Sequence, residues 1–320
     1  MKNALQDGGG RSDSRSDTDI RRLPIPGDEP GGGRVTAPGT TGRIVCRLCG
    51  SDNLVFVFRE SDGSKFHECW RCSTCRLLQT VGQIAPFSPD YVDLAPEDLS
   101  DGHRFLQTRG KASAFSQWQT LLAAHGRQEG RLLDIGCGVG GFLDFAAAGG
   151  FEVYGYDAST AQAENARQRH PRVCTATTIA AYESALGSAL PAFDVVSMWD
   201  VFEHVRQPRL LLREIRERMA PTGFLFLSVP GGGPIPAKVA LARLRGRPPG
   251  LIPWEHVFYY EPSSLQRLLR ESGFTVVETG GVAAYVREPG FAESVRRSIH
   301  RSLAKTRFAL QLFVLARPLR

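Results

Sequence analysis

From Arg131 onward, short apolar runs alternate with stretches whose apolar residues recur every three or four positions. The runs Arg131–Asp134, Phe151–Asp157, a short one near Val173, Phe193–Met198 and Gly223–Val229 read as strands with helices between them. That alternation predicts a parallel sheet with helices on both faces. Two more strands are expected at Phe274–Thr279 and Phe308–Ala316. Between them Phe291, Val295, Ile299 and Leu303 repeat every fourth residue, an amphipathic helix over 291–305. Such a helix packs on its domain with the basic side in water, or lies on a membrane surface as a peripheral contact. The first is expected here. A helical pattern also runs from His103 to about His125, through Phe105, Ala112, Phe115, Trp118 and Leu122.

Upstream the pattern changes. Residues 1–42 are rich in Gly, Asp, Arg, Ser and Pro and almost lack large apolar residues. They cannot bury enough surface to offset chain entropy, so a disordered tail is expected. Residues 43–80 form a cysteine unit with strand-like runs at Asn53–Phe58 and Arg76–Leu78, and 81–102 read as a connector. The main domain is expected over 103–320, with 231–256 as an insertion within it.

Composition narrows the class. The chain has 320 residues, 42% hydrophobic and 22% charged, which suits one large globular domain plus a small one. No apolar run approaches the ~18 residues of a membrane span. The start has no charged-then-apolar leader pattern, so a cytoplasmic location is expected. The net charge of +6 is matched by residues 287–320 alone, which hold eight Arg or Lys against two Glu. A basic tail of this kind reads as a solvated face, and nucleic acid is not the expected partner. Five of the seven cysteines fall between Cys46 and Cys75, a clustering that points to a metal site more than to disulfides.

The chemistry centres on the segment after the first of the alternating strands. Gly136, Gly138 and Gly141 fit the dinucleotide spacing, while Gly136, Gly138 and Gly140 also read G-x-G-x-G. Glycines let the chain approach a ligand, and the next helix begins with unpaired N–H groups. Asp157 ends the following strand, where a carboxylate can accept both hydroxyls of a ribose. Asp134 stands two residues before the first glycine. An anion there gains nothing from a pyrophosphate, but it suits a cofactor bearing an ammonium and a sulfonium, namely S-adenosylmethionine.

The stretches 132–143 (LLDIGCGVGGFL), 153–159 (VYGYDAS), 193–205 (FDVVSMWDVFEHV) and 223–230 (GFLFLSVP) follow one another in the order and spacing of a known family. The chain resembles the class I S-adenosylmethionine-dependent methyltransferases, in particular the branch that includes the ubiquinone-type O-methyltransferases, over about 105–318. One departure is Pro221-Thr222-Gly223, where the family usually has Pro-Gly-Gly. The resemblance implies a Rossmann-like, seven-stranded α/β sheet. It implies that Asp134 and Gly136 face the methionine part of the cofactor, that Gly138 and Gly140 complete the loop, and that Asp157 holds the ribose beside Ala158 at the adenine. Trp199 and Asp200 would lie near the transferred methyl.

Methyl transfer to a hydroxyl also requires removal of its proton. His204 and His256 are the candidate general bases. Glu203 with His204 can alternatively hold a divalent metal that lowers the acceptor's pKa, and a purely structural His204 is equally open. In the insertion, Lys238, Arg243, Arg245 and Arg247 meet no acid before Glu255. They read as the solvated side of a short helix, or else as contacts to an anionic substrate.

Cys46-x-x-Cys49 and Cys72-x-x-Cys75 are two thiolate pairs able to clasp a structural zinc ion. Cys69 and His67 leave the ligand set open, with Cys72 and Cys75 preferred. The segment is similar to the zinc ribbon at the start of many bacterial methyltransferases acting on glycans and secondary metabolites. The expectation is therefore O-methylation of a small-molecule or glycan acceptor, in secondary-metabolite or surface-polysaccharide biosynthesis. One rival is an RNA methyltransferase guided by the ribbon, which the near-balanced charge of residues 43–80 opposes. The other is a non-catalytic zinc- and cofactor-binding protein, which the intact Asp134, glycines and Asp157 oppose.

Overall fold

The computed structural model describes residues 44–81, 107, 109–282, 306 and 308–319, all belonging to the unit Thr36–Arg320. The expected tail 1–42, nearly all of the connector, the start of the helix from His103 and the amphipathic helix 291–305 lie outside the described residues.

Three antiparallel strands come first: β1 (Leu54–Ser61), β2 (Phe66–Cys72) and β3 (Leu78–Val81). The main sheet follows with β4 (Gly130–Ile135), β5 (Phe151–Asp157), β6 (Val173–Thr175), β7 (Phe193–Trp199) and β8 (Met219–Pro230). A two-residue strand, β9 (Phe258–Tyr259), precedes β10 (Phe274–Gly281) and β11 (Gln311–Pro318). The helices are α1 (Ala112–Ala124), α2 (Gly141–Ala148), α3 (Thr160–Arg167), α4 (Ile179–Leu186), α5 (Pro208–Arg218), α6 (Ile235–Leu244) and α7 (Pro262–Glu271). None among the described residues is long and apolar enough to cross a membrane.

The main sheet has seven strands in the order β10-β11-β8-β7-β4-β5-β6. Strands β4 to β8 pair in parallel, and β11 inserts antiparallel between β8 and β10. Both faces are covered, and the period-two alternation of side chains explains how. Phe224, Phe226, Phe313 and Leu315 join α1 and α2 in one buried cluster; Leu225, Leu227, Val314 and Ala316 join α5 and α7 in the other. Each fully buried Phe or Leu contributes about 1.5–3 kcal/mol, so a strand apolar on both sides is held in the middle of the stack. Helix starts are marked locally. Pro208 and Pro262 open α5 and α7, and Glu261 with Ser264 forms a capping box at α7.

From β4 the chain moves outward to β5 and β6, then returns to β7 on the other side of β4. The strand order reverses between β4 and β7, and open α/β sheets bind ligands beyond the strand ends at such a point.

The cysteine segment and the insertion are not independent of this body. Strand β9 pairs with β3, Leu78 opposite Tyr259 and Gln79 opposite Phe258, giving the small sheet its fourth strand. Cys46, Leu48, Cys72, Cys75 and Leu77 belong to the same buried cluster as Phe258, Tyr260, Leu265 and Leu268. Helix α6, within the expected insertion, seats Ile235 and Val239 on Phe58, Cys69 and Tyr259. Two of the insertion's basic residues turn toward backbone: Arg243 donates to the Val57 carbonyl at 2.9 Å and Lys238 to the Gly250 carbonyl at 3.4 Å.

Candidate functional site: a cofactor cleft and two side-chain clusters

The glycine loop is fastened before any ligand arrives. The N–H groups of Gly136 and Cys137 donate to the Tyr156 carbonyl at 2.8 and 3.1 Å. Gly138 N–H donates to Asp157 Oδ2 at 2.8 Å, and the Val139 carbonyl accepts from Arg169 at 2.6 Å. Val139 N–H donates to the side chain of Gln107 at 2.9 Å. Gly136 has φ +74°, and a Cβ there would lie 2.4 Å from the Val201 side chain. Left-handed backbone and close approach together require glycine at this position.

Beside the loop is a cleft of about 510 Å³ lined by Gly136, Asp157, Ala158, Asp200, His204 and Glu255, among others. Its size is that of a small-molecule site. Asp157 is buried, and each carboxylate oxygen accepts one backbone N–H at 2.8 Å, from Gly138 and from Ser159.

Asp134 sits below the loop rather than in the cleft wall. It accepts from Ser197 on β7 at 2.7 Å, and burial pushes its carboxyl up to about 7. The Asp157 charge adds to that rise, while Ser197 and Lys111 work against it. Gly138 and Gly140 shape the turn without lining the cleft. Trp199 is also outside the lining. Its ring packs among Phe115, Phe142 and Phe226, at 5.1, 5.0 and 4.7 Å between centroids, so it buttresses the wall from the core.

Asp200 turns the chain at the end of β7 with φ +60°, a region that costs a non-glycine residue free energy. Lys111 holds its carboxylate at 2.8 Å, and the Gln311 amide donates to the other oxygen and to Ser228 Oγ. Sequence reasoning missed Lys111, Gln311 and Gln107. The available signal was slight: a single glutamine opening the apolar run Leu312–Ala316, and a lysine at the start of a helix.

A second cluster lies at one end of the cleft. His204 donates from Nδ1 to the Glu255 carbonyl at 2.9 Å, which leaves Nε2 as the acceptor of the neutral ring. The His256 ring is 4.8 Å from it, edge-on, and 5.3 Å from Tyr259. Burial lowers both histidines; with the His204 charge nearby, His256 falls to about 3. Glu203 is 1% exposed, and neither carboxylate oxygen has a hydrogen-bond partner. Burial first, then the Asp200 charge, raises it well above the usual carboxylate range. One potential ligand atom each from Glu203, His204 and His256 lies within 4.8 Å of the others. The sequence offered Glu203 with His204 as a pair and His256 separately, and the fold brings all three together.

In the cysteine cluster, Cys46 and Cys75 have sulfurs 3.4 Å apart, Cys49 and Cys72 3.6 Å, and all four lie within 4.8 Å of one another. A tetrahedral ion with 2.3 Å bonds to sulfur needs separations of about 3.8 Å, so the set fits zinc. Gly50 and Arg76, each just after a pair, have φ +74° and +66°, giving two matching turns. Cys69 is excluded by strand geometry. It lies in β2 three residues before Cys72, and an odd spacing turns it to the opposite face, against Phe58 and Ile235. His67 is engaged by Asp62 at 2.7 Å.

A family model described as a methyltransferase domain matches residues 105–279. The ubiquinone biosynthesis O-methyltransferase of Neisseria meningitidis is 31% identical over 228 residues, covering 67% of this chain and 81% of that one. The enzyme of the same name from Cereibacter sphaeroides is 32% identical over 160 residues, 48% of this chain and 63% of that one. Among solved structures, magnesium protoporphyrin IX methyltransferase from Synechocystis is similar at 19% identity and a TM-score of 0.46, over 68% of this chain and 93% of that one. The family match runs from the helix before the glycine loop to the strand after α7, so the chain belongs to the methyltransferase-domain family and is an S-adenosylmethionine-dependent methyltransferase.

Proposed function

We propose that the protein transfers the methyl group to a hydroxyl of a small-molecule or glycan acceptor, with His204 as the general base. The observation that carries this reading is one continuous cleft that includes Gly136, Asp157 and Ala158 together with Asp200 and His204. In this reading Asp157 accepts the ribose hydroxyls and Ala158 borders the adenine. Asp134 answers the positive charges of the methionine part beneath Gly136, while Gly138 and Gly140 set the turn. Asp200, held by Lys111, borders the methyl, and Trp199 supports it from behind. Displacement at a sulfonium needs mainly alignment, so what remains is the acceptor's proton. His204 Nε2, neutral at pH 7, is suited to take it. His256, lowered to about 3, is too weak a base and acts as the ring that orients His204. The O-methyltransferase names of the relatives support a hydroxyl acceptor. Cys46, Cys49, Cys72 and Cys75 hold a structural zinc, since four thiolates leave no open position. The proposed setting is the cytoplasm.

A second reading is favoured by the orphaned Glu203 carboxylate: a divalent cation on Glu203, His204 and His256 lowers the acceptor's pKa. Metal content separates the two. Under the general-base reading, wild type and His256→Asn bind the same number of ions; under the metal reading the variant holds one fewer.

The reaction itself is tested by supplying radiolabelled S-adenosylmethionine with fractionated cell extract. Label in small molecules or glycans, abolished in His204→Asn with cofactor affinity intact, is the expected result. Label in RNA instead would overturn the acceptor class.

A further inference from the structure

Between the first cysteine turn and α5 lies a cleft of about 330 Å³ that the methyl-transfer chemistry does not use. Its rim carries four arginines and no carboxylate: Arg47, Arg206, Arg209 and Arg213. Arg209 is compensated, donating to the Leu48 carbonyl at 2.8 Å and pairing with Glu271 at 2.6 Å. Among the described residues, the guanidinium groups of Arg47, Arg206 and Arg213 have no hydrogen bond or ion pair. Arg47 lies over the Phe258 ring at 5.9 Å. Three like charges are thus gathered on one concavity whose lining holds no carboxylate. The floor is apolar, including Leu77, Phe258 and Leu268.

We infer that this cleft binds the phosphoryl group of a phosphorylated small molecule. Three guanidinium groups match a multiply charged oxyanion, which accepts several of their N–H groups, better than a carboxylate with its single charge. The volume exceeds what a lone ion needs and lies in the range of small organic ligands, whose carbon skeleton would cover the apolar floor. A polynucleotide fits less well, because the free arginines share one small concavity and the cysteine segment has nearly balanced charge. The cleft shares Arg206, Gln207 and Leu210 with the cofactor cleft. The phosphorylated ligand therefore sits next to the bound methyl donor. The basic residues of the insertion, which the sequence offers for an anionic substrate, are not needed for this role.

The test is calorimetric titration of the full-length protein with pyrophosphate at low salt, comparing wild type with Arg47→Gln/Arg213→Gln. Both substituted arginines lie outside the cofactor cleft. Saturable binding at one site is expected in the wild type, weakened about tenfold or more in the double variant, with S-adenosylmethionine affinity unchanged. Arg213→Gln alone, on the exposed side of α5, gives a smaller loss and serves if the double variant misfolds. No saturable binding by the wild type, or equal binding by the variants, overturns the proposal. So does displacement of pyrophosphate by a short RNA that binds more tightly and with a steep salt dependence, which would assign the cleft to nucleic acid.

Discussion

At the scale of single residues, Gly136 concentrates the argument for the cofactor cleft. Its φ of +74° costs alanine about 1 kcal/mol or more, and the added Cβ meets Val201 at 2.4 Å. Relieving the clash shifts either the loop or the Val201 side chain, and both line the cleft. Gly136→Ala is therefore expected to weaken S-adenosylmethionine binding by about tenfold or more, read by calorimetry. Gly246 supplies the control. It has φ +61° with nothing within 4 Å of a built Cβ, so Gly246→Ala carries the same backbone cost without the clash. That variant should lose a little stability and keep its cofactor affinity. Equal affinity losses in the two variants would mean that backbone strain alone, not the shape of the cleft, is being measured. Arg76 carries a similar backbone cost, at φ +66°, and its guanidinium pairs with buried Glu261 at 2.7 Å. Arg76→Gly removes the strain but leaves Glu261 with Arg71 alone. A net destabilisation on the order of 1 kcal/mol is expected, since losing a partner of a buried charge outweighs the relief. A rise in melting temperature would reverse that ranking.

At the scale of elements, β3 ties the cysteine turns to the segment His256–Val257. Gln79 accepts from Arg47 N–H at 2.8 Å and donates to the Val45 carbonyl at 2.9 Å, while Thr80 bonds the Val257 and His256 carbonyls at 3.0 and 2.9 Å. Withdrawal of the proposed zinc should loosen the turn around Arg47 and, through β3, the segment that carries Glu255 and His256. Chelation is expected to lower kcat by up to about 10²-fold, the cost of a small misplacement, while cofactor binding persists. Simultaneous loss of both activities would show instead that the cysteine unit stabilises the whole fold. These connections also explain what the sequence could reveal. Strands β4, β5 and β7 were legible within a residue or two because each is a largely apolar run ending at a motif. Strand β2 was not: Phe66–Cys72 mixes His67, Glu68 and Arg71 with its apolar residues, and tertiary pairing decides it. Strand β9, two residues long, exists only because β3 lies beside it. Among candidate site residues, the cysteine pairs, the glycines and Asp157 stand out by spacing. The joining of Glu203, His204 and His256 did not, since it depends on a chain return of about fifty residues that no local pattern encodes.

At the scale of the whole molecule, the buried ionisable groups set opposing pH dependences. Asp134 is raised from 3.8 to about 7, chiefly by burial. The native state therefore keeps a proton that the unfolded chain has released between pH 4 and 7. Its contribution favours folding below pH 4 and is lost as the pH rises through 7, at roughly 1.4 kcal/mol per unit across that window. Glu203, raised by burial, acts in the same direction. His256, lowered from 6.5 to about 3, acts oppositely: its unfolded form takes up a proton as the pH falls through 6.5, so stability declines on acidification. His204 adds to that decline. The net slope of the ligand-free protein mixes these effects, and Asp134→Asn isolates one of them. Relative to the variant, the wild type should lose stability between pH 5 and 8 in urea titrations. The methyl donor changes the sign of the problem. In the proposed binding mode a sulfonium and an ammonium above the Gly136 loop would favour the Asp134 carboxylate, so binding would expel its proton below pH 7. Affinity for S-adenosylmethionine should thus climb with pH up to about 7 and then level off in the wild type, and stay weaker and flatter in Asp134→Asn. Glu203→Gln should retain the climb, because Glu203 lies outside the lining of the cofactor cleft. If the climb survives in Asp134→Asn and vanishes in Glu203→Gln, the proton belongs to the Glu203, His204 and His256 cluster, and the cofactor's charge is answered there rather than beneath the glycine loop.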